Sequence, residues 1–270
     1  MKQMGVCEAM KKILITGAGS YIGMQFEQYM QPFSEAYAVD TLDMLNENWI
    51  EFDLSGYDIV YHVAGIAHQK ETAKNAARYY QVNRDLAVAV AKRAKEAGVR
   101  QFVFLSSMSV YGMRTGVITP DTVPSPISHY GRSKLEAEEL LKKMETETFL
   151  VSIVRPPMVY GEGCKGNYQL LKKFALKSPI FPNIRNRRSM IRIDRLCAYI
   201  KKLMDHENRG CFFPQDPEYV CTSDMVVQLA KQAGRNIRLT KIFNPLIRIL
   251  KIPVIEKVFG DLIYDNATMQ

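Results

Sequence analysis

No stretch of the 270 residues reaches the ~18 to 20 uncharged apolar positions that a membrane-spanning helix needs, because Lys or Glu interrupts every candidate run. Met1 to Lys12 contains no apolar signal core, so nothing there points to export, and a cytoplasmic protein is expected. Cysteine is scarce. Cys7, Cys164, Cys197, Cys211 and Cys221 form no C-x-x-C pair and are odd in number, which excludes a disulfide scaffold and fits reduced thiols. Cys164 beside Lys165 has no histidine nearby and reads as an incidental thiol. His62 and His68 lack Cys or carboxylate partners at ligand spacing, so no metal site is expected. Trp49, the one tryptophan, reads as a core residue. No internal repeat and no low-complexity linker is present, which removes solenoids and disordered chains.

What remains has globular proportions. Apolar residues make up 47% and charged residues 24%, enough for one large core and a small lobe. Thirty-six Lys and Arg oppose 28 Asp and Glu, a net charge of +8. Such an excess fits nucleic acid, a membrane surface or an anionic ligand. Arg185, Arg187, Arg188, Arg192 and Arg195 crowd one segment without interleaved aromatics, which reads as a phosphate site; no nucleic acid partner is expected.

Short apolar runs alternate with helical patterns through the first 160 residues or so, the mark of a parallel sheet covered by helices. Strands are expected at Lys12 to Thr16, Ala36 to Asp40, Asp58 to Ala64, Gln101 to Ser106 and Phe149 to Arg155. Helices are expected through Met30, over Thr72 to Ala97 with Gly98 as C-cap, and over Tyr130 to Glu147. The fold class is therefore α/β, a doubly wound parallel sheet over 1–155, followed by a smaller cap over 156–270. One strand near 210–214 is expected to return to the main sheet, and helices are expected near Tyr168 to Leu176, Asp194 to Met204 and Ser223 to Ala233. The tail, Phe243 to Ile263, is apolar and basic; it reads as a helix packed on the cap, with a peripheral membrane anchor as the alternative.

Two constellations carry chemistry. Gly17, Gly19 and Gly23 follow a buried strand and open a helix, where backbone can approach a pyrophosphate at the positive end of the helix dipole. Asp40 ends the next strand, where a carboxylate accepts ribose hydroxyls and repels a 2′-phosphate. Downstream, Tyr130-Gly-Arg-Ser-Lys134 opens a helix with the phenol and ammonium on one face. The serine-rich turn Ser106 to Gly112 follows a buried strand, at the sheet end where such folds bind ligands.

These pieces resemble the extended short-chain dehydrogenase/reductases, specifically the nucleotide-sugar epimerase/dehydratase group. The resemblance runs from about Lys11 to Phe213. It rests on T-G-A-G-S-Y-I-G (16–23), Asp40, Asp53-Leu54, H-V-A-G (62–65), V-N-R-D around Asn83, S-S-M-S-V-Y-G (106–112), Y-G-R-S-K (130–134) and R-P-P-M-V-Y-G (155–161). It implies a Rossmann-like nucleotide-binding domain, NAD as cofactor and a nucleotide-sugar substrate, UDP-linked. It also implies a homodimer formed through the helical face of Thr72 to Ala97 and Tyr130 to Glu147, and a role in surface-polysaccharide biosynthesis.

By the same resemblance Tyr130 is the catalytic base, Lys134 its partner and a nicotinamide-ribose ligand, and Ser107 the hydroxyl that bonds the reacting sugar hydroxyl. Gly17, Ser20, Tyr21, Ile22, Gly23, Asp40, Asp53, Leu54, Val63, Ala64, Gly65, Asn83 and Pro157 fall on the cofactor. Asn167 and Arg188 fall on the nucleotide, with Arg188 on the diphosphate; Arg114 and Tyr160 are further candidates for substrate contact. Three positions depart from the pattern. Ser20 replaces the loop's middle glycine, Met158 replaces a common asparagine, and Met108-Ser109 stand where dehydratases carry an acidic pair. Loss of that pair disfavours dehydration. The resemblance implies an epimerase working through a transient keto-sugar, most directly at C4, with an NAD(P)H-dependent keto-sugar reductase and a non-catalytic cofactor-binding regulator as alternatives.

Overall fold

The computed structural model describes residues 10–266 except 68, 70, 165, 250 and 251, and leaves out the side chains of 167 and 248. The expectations for Cys7, His68 and Lys165, and for the Asn167 side chain, lie outside the described residues. In chain order the strands are β1 (Lys11–Thr16), β2 (Tyr37–Leu42), β3 (Ile59–His62), β4 (Gln101–Leu105), β5 (Gly116–Ile118) and β6 (Leu150–Val154). There follow β7 (Met158–Tyr160), β8 (Ile180–Pro182), β9 (Met190–Arg192), β10 (Gly210–Phe212), β11 (Arg238–Thr240) and β12 (Leu262–Tyr264). The helices are α1 (Tyr21–Met30), α2 (Ala76–Tyr80), α3 (Leu86–Glu96), α4 (His129–Met144) and α5 (Asn167–Lys177). They continue with α6 (Ile193–Asp205), α7 (Thr222–Gln232), α8 (Asn244–Ile249) and α9 (Pro253–Phe259).

Chain contacts divide the molecule into two units. The first takes Met1–Ser106, Ser133–Arg155 and Cys197–Phe212; the second takes Ser107–Arg132, Pro156–Leu196 and Phe213–Gln270. The first unit holds a six-stranded parallel sheet in the order β10-β6-β4-β3-β1-β2, the doubly wound α/β fold read from the sequence. Parallel strands buried on both faces read as continuous apolar runs, and Ile13, Leu14, Ile15, Phe102, Val103 and Phe104 are each fully buried. Ala87, Ala91 and Ala94 of α3 and Ala137 of α4 let these helices approach one face closely. Each large apolar side chain buried there contributes roughly 1.5–3 kcal/mol. Trp49 is only partly buried, packed against the margin of that core with the Arg93 guanidinium 5.9 Å from its ring centre.

The chain leaves β1 for β2 on one side and returns past it to β3 on the other. This reversal opens a crevice beyond the carboxyl ends of β1 and β3, the place where doubly wound sheets take ligands. The expected single helix over 72–97 is instead α2, a π-helical turn over Gln81–Asp85, and α3. Gly98 follows with φ +82, the left-handed C-terminal glycine anticipated from the sequence.

In the second unit three strand pairs are parallel: β5 with β12, β7 with β9, and β8 with β11. Its core joins Leu171 and Ala175 of α5 to Met225, Val226, Leu229 and Ala230 of α7. The tail differs from the one helix expected. It forms two short helices and a strand, because Pro253 can start α9 but cannot continue α8. β12 then docks in register on β5, with Leu262 opposite Gly116.

Candidate active site

The loop between β1 and α1 has features that suit a dinucleotide's phosphates: glycines with left-handed backbone and an open helix N-terminus. Gly17 has φ +114, and a Cβ there would stand 2.7 Å from the backbone nitrogen of Ala64, so only glycine lets the loop lie on the end of β3. Gly19 is also left-handed, with φ +74, but the space before it is open. Tyr21 and Ile22 open α1 at the positive end of its dipole, and the first turn carries no acid to repel a phosphate. Ser20 is the N-cap of α1. Its Oγ accepts the Gly23 N–H at 3.2 Å, so the serine keeps the helix start ordered without a middle glycine. Val63 and Ala64 both donate their N–H groups to the Thr16 carbonyl (3.0 and 2.9 Å), which fixes β3's end beside the loop.

Asp40 is exposed on β2 and accepts the Tyr57 hydroxyl at 2.8 Å. Asp53 accepts both the N–H and the hydroxyl of Ser55 at 2.8 Å, which holds its carboxyl below the usual range. The Leu54 side chain is buried in the sheet core, so any adenine contact there is made by backbone.

Asn83 is fully buried in the π-helical turn and grips the strand-end loop from both sides. Its Oδ1 accepts the Ile66 N–H at 2.9 Å, while Nδ2 donates to the Ile66 carbonyl and the Ser133 hydroxyl, each at 3.1 Å. Gly65 lies between this amide and Lys134; an added Cβ would meet Asn83 Oδ1 at 2.9 Å and Lys134 Nζ at 3.3 Å. Lys134 Nζ donates to the Leu105 carbonyl at 2.8 Å and stands 4.5 Å from the centre of the Phe104 ring. Burial pushes its ammonium down to about 7, with Glu138 acting the other way. The neighbouring His62 ring stacks with Phe102 and Phe104, bonds Thr16 through Nδ1 at 2.7 Å, and is pushed by burial to about 3, so it stays neutral. No group of side chains able to hold a metal occurs among the described residues.

The Lys134 shift has a measurable sign. Its ammonium titrates near 10.5 when unperturbed and at about 7 in the fold, so between these values the unfolded chain binds more protons and stability rises with pH. Lys134→Met removes this titration. Urea unfolding of both proteins, compared near pH 6 and about pH 9, is expected to show wild type gaining on the variant as pH rises.

Tyr130 and Lys134 sit on successive turns of α4, as their spacing implied. Within the second unit the start of α4 lies on the serine turn: a Cβ on Gly131 would stand 2.5 Å from the Ser109 carbonyl oxygen. Ser107 caps that turn, its Oγ accepting the Ser109 N–H at 3.1 Å, and Met108 donates its N–H to the Pro156 carbonyl at 2.9 Å. Pro157 is buried in the next residue along.

One group went unnoticed in the sequence. Glu138, one turn beyond Lys134 and fully buried, takes a bidentate bond from Arg155: Nε at 3.0 and 3.1 Å, and a terminal nitrogen at 2.5 Å. Ser106 donates its hydroxyl to the same carboxylate. The signal was present, since Glu138 shares a helix stripe with Lys134 and lies between apolar Ala137 and Leu141.

The arginine cluster is not a set of unpaired charges. Arg185 pairs with Asp224, Arg187 with Asp261, Arg192 with Asp194 and Arg195 with Asp216, so four charges are met by carboxylates. Arg188 is half-buried and donates to the Gly260 carbonyl at 2.9 Å; burial lowers its affinity for the proton. Asn167 is the first residue of α5. Tyr160 donates to Asp216 at 2.7 Å, and Arg114 faces Glu256 at 3.7 Å. Cys164 is buried, which pushes its thiol up and leaves it unreactive.

A sequence profile described as the NAD dependent epimerase/dehydratase family matches residues 13–210. The chain is similar to the UDP-glucose 4-epimerase of Vibrio cholerae, 30% identical over 246 residues that cover 82% of this chain and 75% of that protein. It is also similar to the N-acetyl-alpha-D-glucosaminyl-diphospho-ditrans,octacis-undecaprenol 4-epimerase of Escherichia coli O157:H7. That identity is 33% over 138 residues, which are 49% of this chain and 41% of the relative. Among solved structures, the UDP-glucuronic acid 4-epimerase of Bacillus cereus in complex with NAD shares the fold, with a TM-score of 0.72 over 85% of each chain at 23% identity. The profile spans most of the chain and the Vibrio cholerae relative matches over 82% of it; this protein belongs to the NAD-dependent epimerase/dehydratase family.

Proposed function

We propose that the chain is an NAD-dependent epimerase that inverts C4 of a UDP-linked sugar. The observation that carries this reading is α4, which sets the Tyr130 phenol one turn from a desolvated Lys134 and rests its first turn on the Ser107 turn. A bound NAD would supply a reversible hydride acceptor, so that inversion of the sugar centre involves no net oxidation. The loop of Gly17, Gly19 and Ser20 would hold its pyrophosphate, Asp40 its adenosine ribose, and Lys134 with Asn83 the nicotinamide side.

Tyr130 Oη takes the proton of the sugar hydroxyl as the carbonyl forms and gives it back when the hydroxyl is restored. Phenols titrate near 10, so a base working at neutral pH requires a fall of about three units, or roughly 4 kcal/mol, which a neighbouring cation can supply. Ser107 Oγ bonds the same hydroxyl and fixes its direction. Arg188 is assigned to the diphosphate, where it would exchange the Gly260 carbonyl for a charged acceptor, and Asn167 to the nucleotide. Asp40 weighs against a reductase that uses NADPH, because its carboxylate repels a 2′-phosphate.

A homodimer is assigned to α3 and α4, where Leu140 is exposed and Val88, Lys92, Lys143 and Met144 line a groove between the helices. A cytoplasmic role in polysaccharide biosynthesis completes the proposal and rests on the resemblance. Among the described residues no helix is long and apolar enough to cross a membrane.

Proton NMR of UDP-hexoses and UDP-N-acetylhexosamines incubated with the protein and NAD+, without reductant, tests the reading. A new C4 epimer with no accumulated NADH is expected. Turnover of a keto-sugar only when NADH or NADPH is supplied would replace the epimerase with the reductase.

A further inference from the structure

The second unit exposes apolar side chains in one concentrated stretch. Ile242, Phe243, Leu246, Ile249, Ile252 and Val254 are all exposed, with Ile242 at 82%, Ile249 at 77% and Val254 at 67%. Six of the seventeen exposed large apolar residues among those described therefore fall within thirteen consecutive positions, far from the single scattered residues normal on a soluble surface. The patch continues onto α5. Phe174, 56% exposed, packs edge-on against the buried Phe181, whose ring also packs against Phe259 at the end of α9.

The charge around the stretch has one sign. Between 235 and 257 lie Arg235, Arg238, Lys241, Arg248, Lys251 and Lys257 against one acid, Glu256, and that acid faces Arg114. These cations supply most of the chain's net charge of +8. A second copy of the chain docked on this face would set cations against cations. An anionic bilayer answers both properties at once, since apolar side chains enter the interfacial layer while long Lys and Arg side chains reach the headgroups.

We propose that the surface of residues 241–249 and 252–257 is a peripheral docking site for an anionic lipid bilayer, with α8 and α9 lying in the interface plane. The attachment is reversible, because neither helix is long enough to span and the electrostatic part is screened by salt. It is independent of the reaction assigned above. It places the enzyme where sugars carried on lipid diphosphates or passed to membrane-bound transferases are found.

Flotation of the full chain with phosphatidylcholine vesicles, with and without phosphatidylglycerol, tests this at low ionic strength. Capture is expected only with phosphatidylglycerol and is lost in high salt. The double variant Ile242→Asp, Ile249→Asp changes two exposed side chains, so its circular dichroism and its turnover of soluble substrate stay at wild-type levels while vesicle partitioning falls about tenfold or more. Equal capture of wild type and variant, or no capture of wild type by anionic vesicles, overturns the proposal. So does concentration-dependent self-association that the variant abolishes without any vesicle binding, since a second copy would then cover the face.

Discussion

Tyr130→Phe is expected to lower kcat by about a hundredfold to ten-thousandfold, the range a positioned acid–base group contributes. The change removes one hydroxyl and leaves the ring in place at the start of α4. The helix itself is held elsewhere, by the close approach of Gly131 to Ser109 and by the Glu138–Arg155 pair. Stability to urea and affinity for NAD, read by calorimetry, are therefore expected to match wild type while epimer formation in the NMR assay collapses. Unchanged turnover would return the chain to the non-catalytic alternative. A matching loss in Lys134→Met, with the pH slope described above also removed, would tie the stability cost of the buried ammonium to the rate it supports.

Arg155→Met is expected to destabilise the protein by about 3–5 kcal/mol, because it strands a carboxylate that has no exposed surface. The pair itself is worth far less than its rupture, since two desolvated charges only partly repay the water they lose. Adding Glu138→Leu to the first change should recover most of the loss and can exceed wild type. Urea unfolding of the two single variants and the double variant separates these quantities, and non-additivity of several kcal/mol is the signature. Glu138 is two helical turns from Tyr130 and acts as a positioning residue. In the double variant, kcat is expected to fall while KM for the nucleotide sugar stays, because the Arg188 segment is untouched.

The sequence exposed the parts of this molecule whose cause is local. KILIT and QFVFL are continuous apolar runs because parallel strands are buried on both faces, and the expected sheet follows from them. Gly17 and Gly98 mark left-handed turns that other residues resist. What escaped notice depends on distant partners. β5 and β12 are three residues each, and their pairing joins positions nearly 150 residues apart in sequence, so the tail read as helix. The arginines of 185–195 looked like one cluster because three of their four acids, Asp216, Asp224 and Asp261, lie well downstream. Asn83 was placed on the cofactor side by its motif, but V-N-R-D has ordinary helical composition and gave no sign of a π turn.

That turn has a genetic consequence. It carries one residue more than the α-helical phase requires between α2 and α3, and each residue of an α-helix advances the side chains by about 100°. Loss of a single codon from 81–85 would therefore regularise the helix and leave Tyr79 and the alanine face of α3 in phase, at the expense of the Asn83 bonds to Ile66 and Ser133. The same loss within α3 would swing the residues on its two sides against each other by that angle and carry part of the alanine face off the sheet.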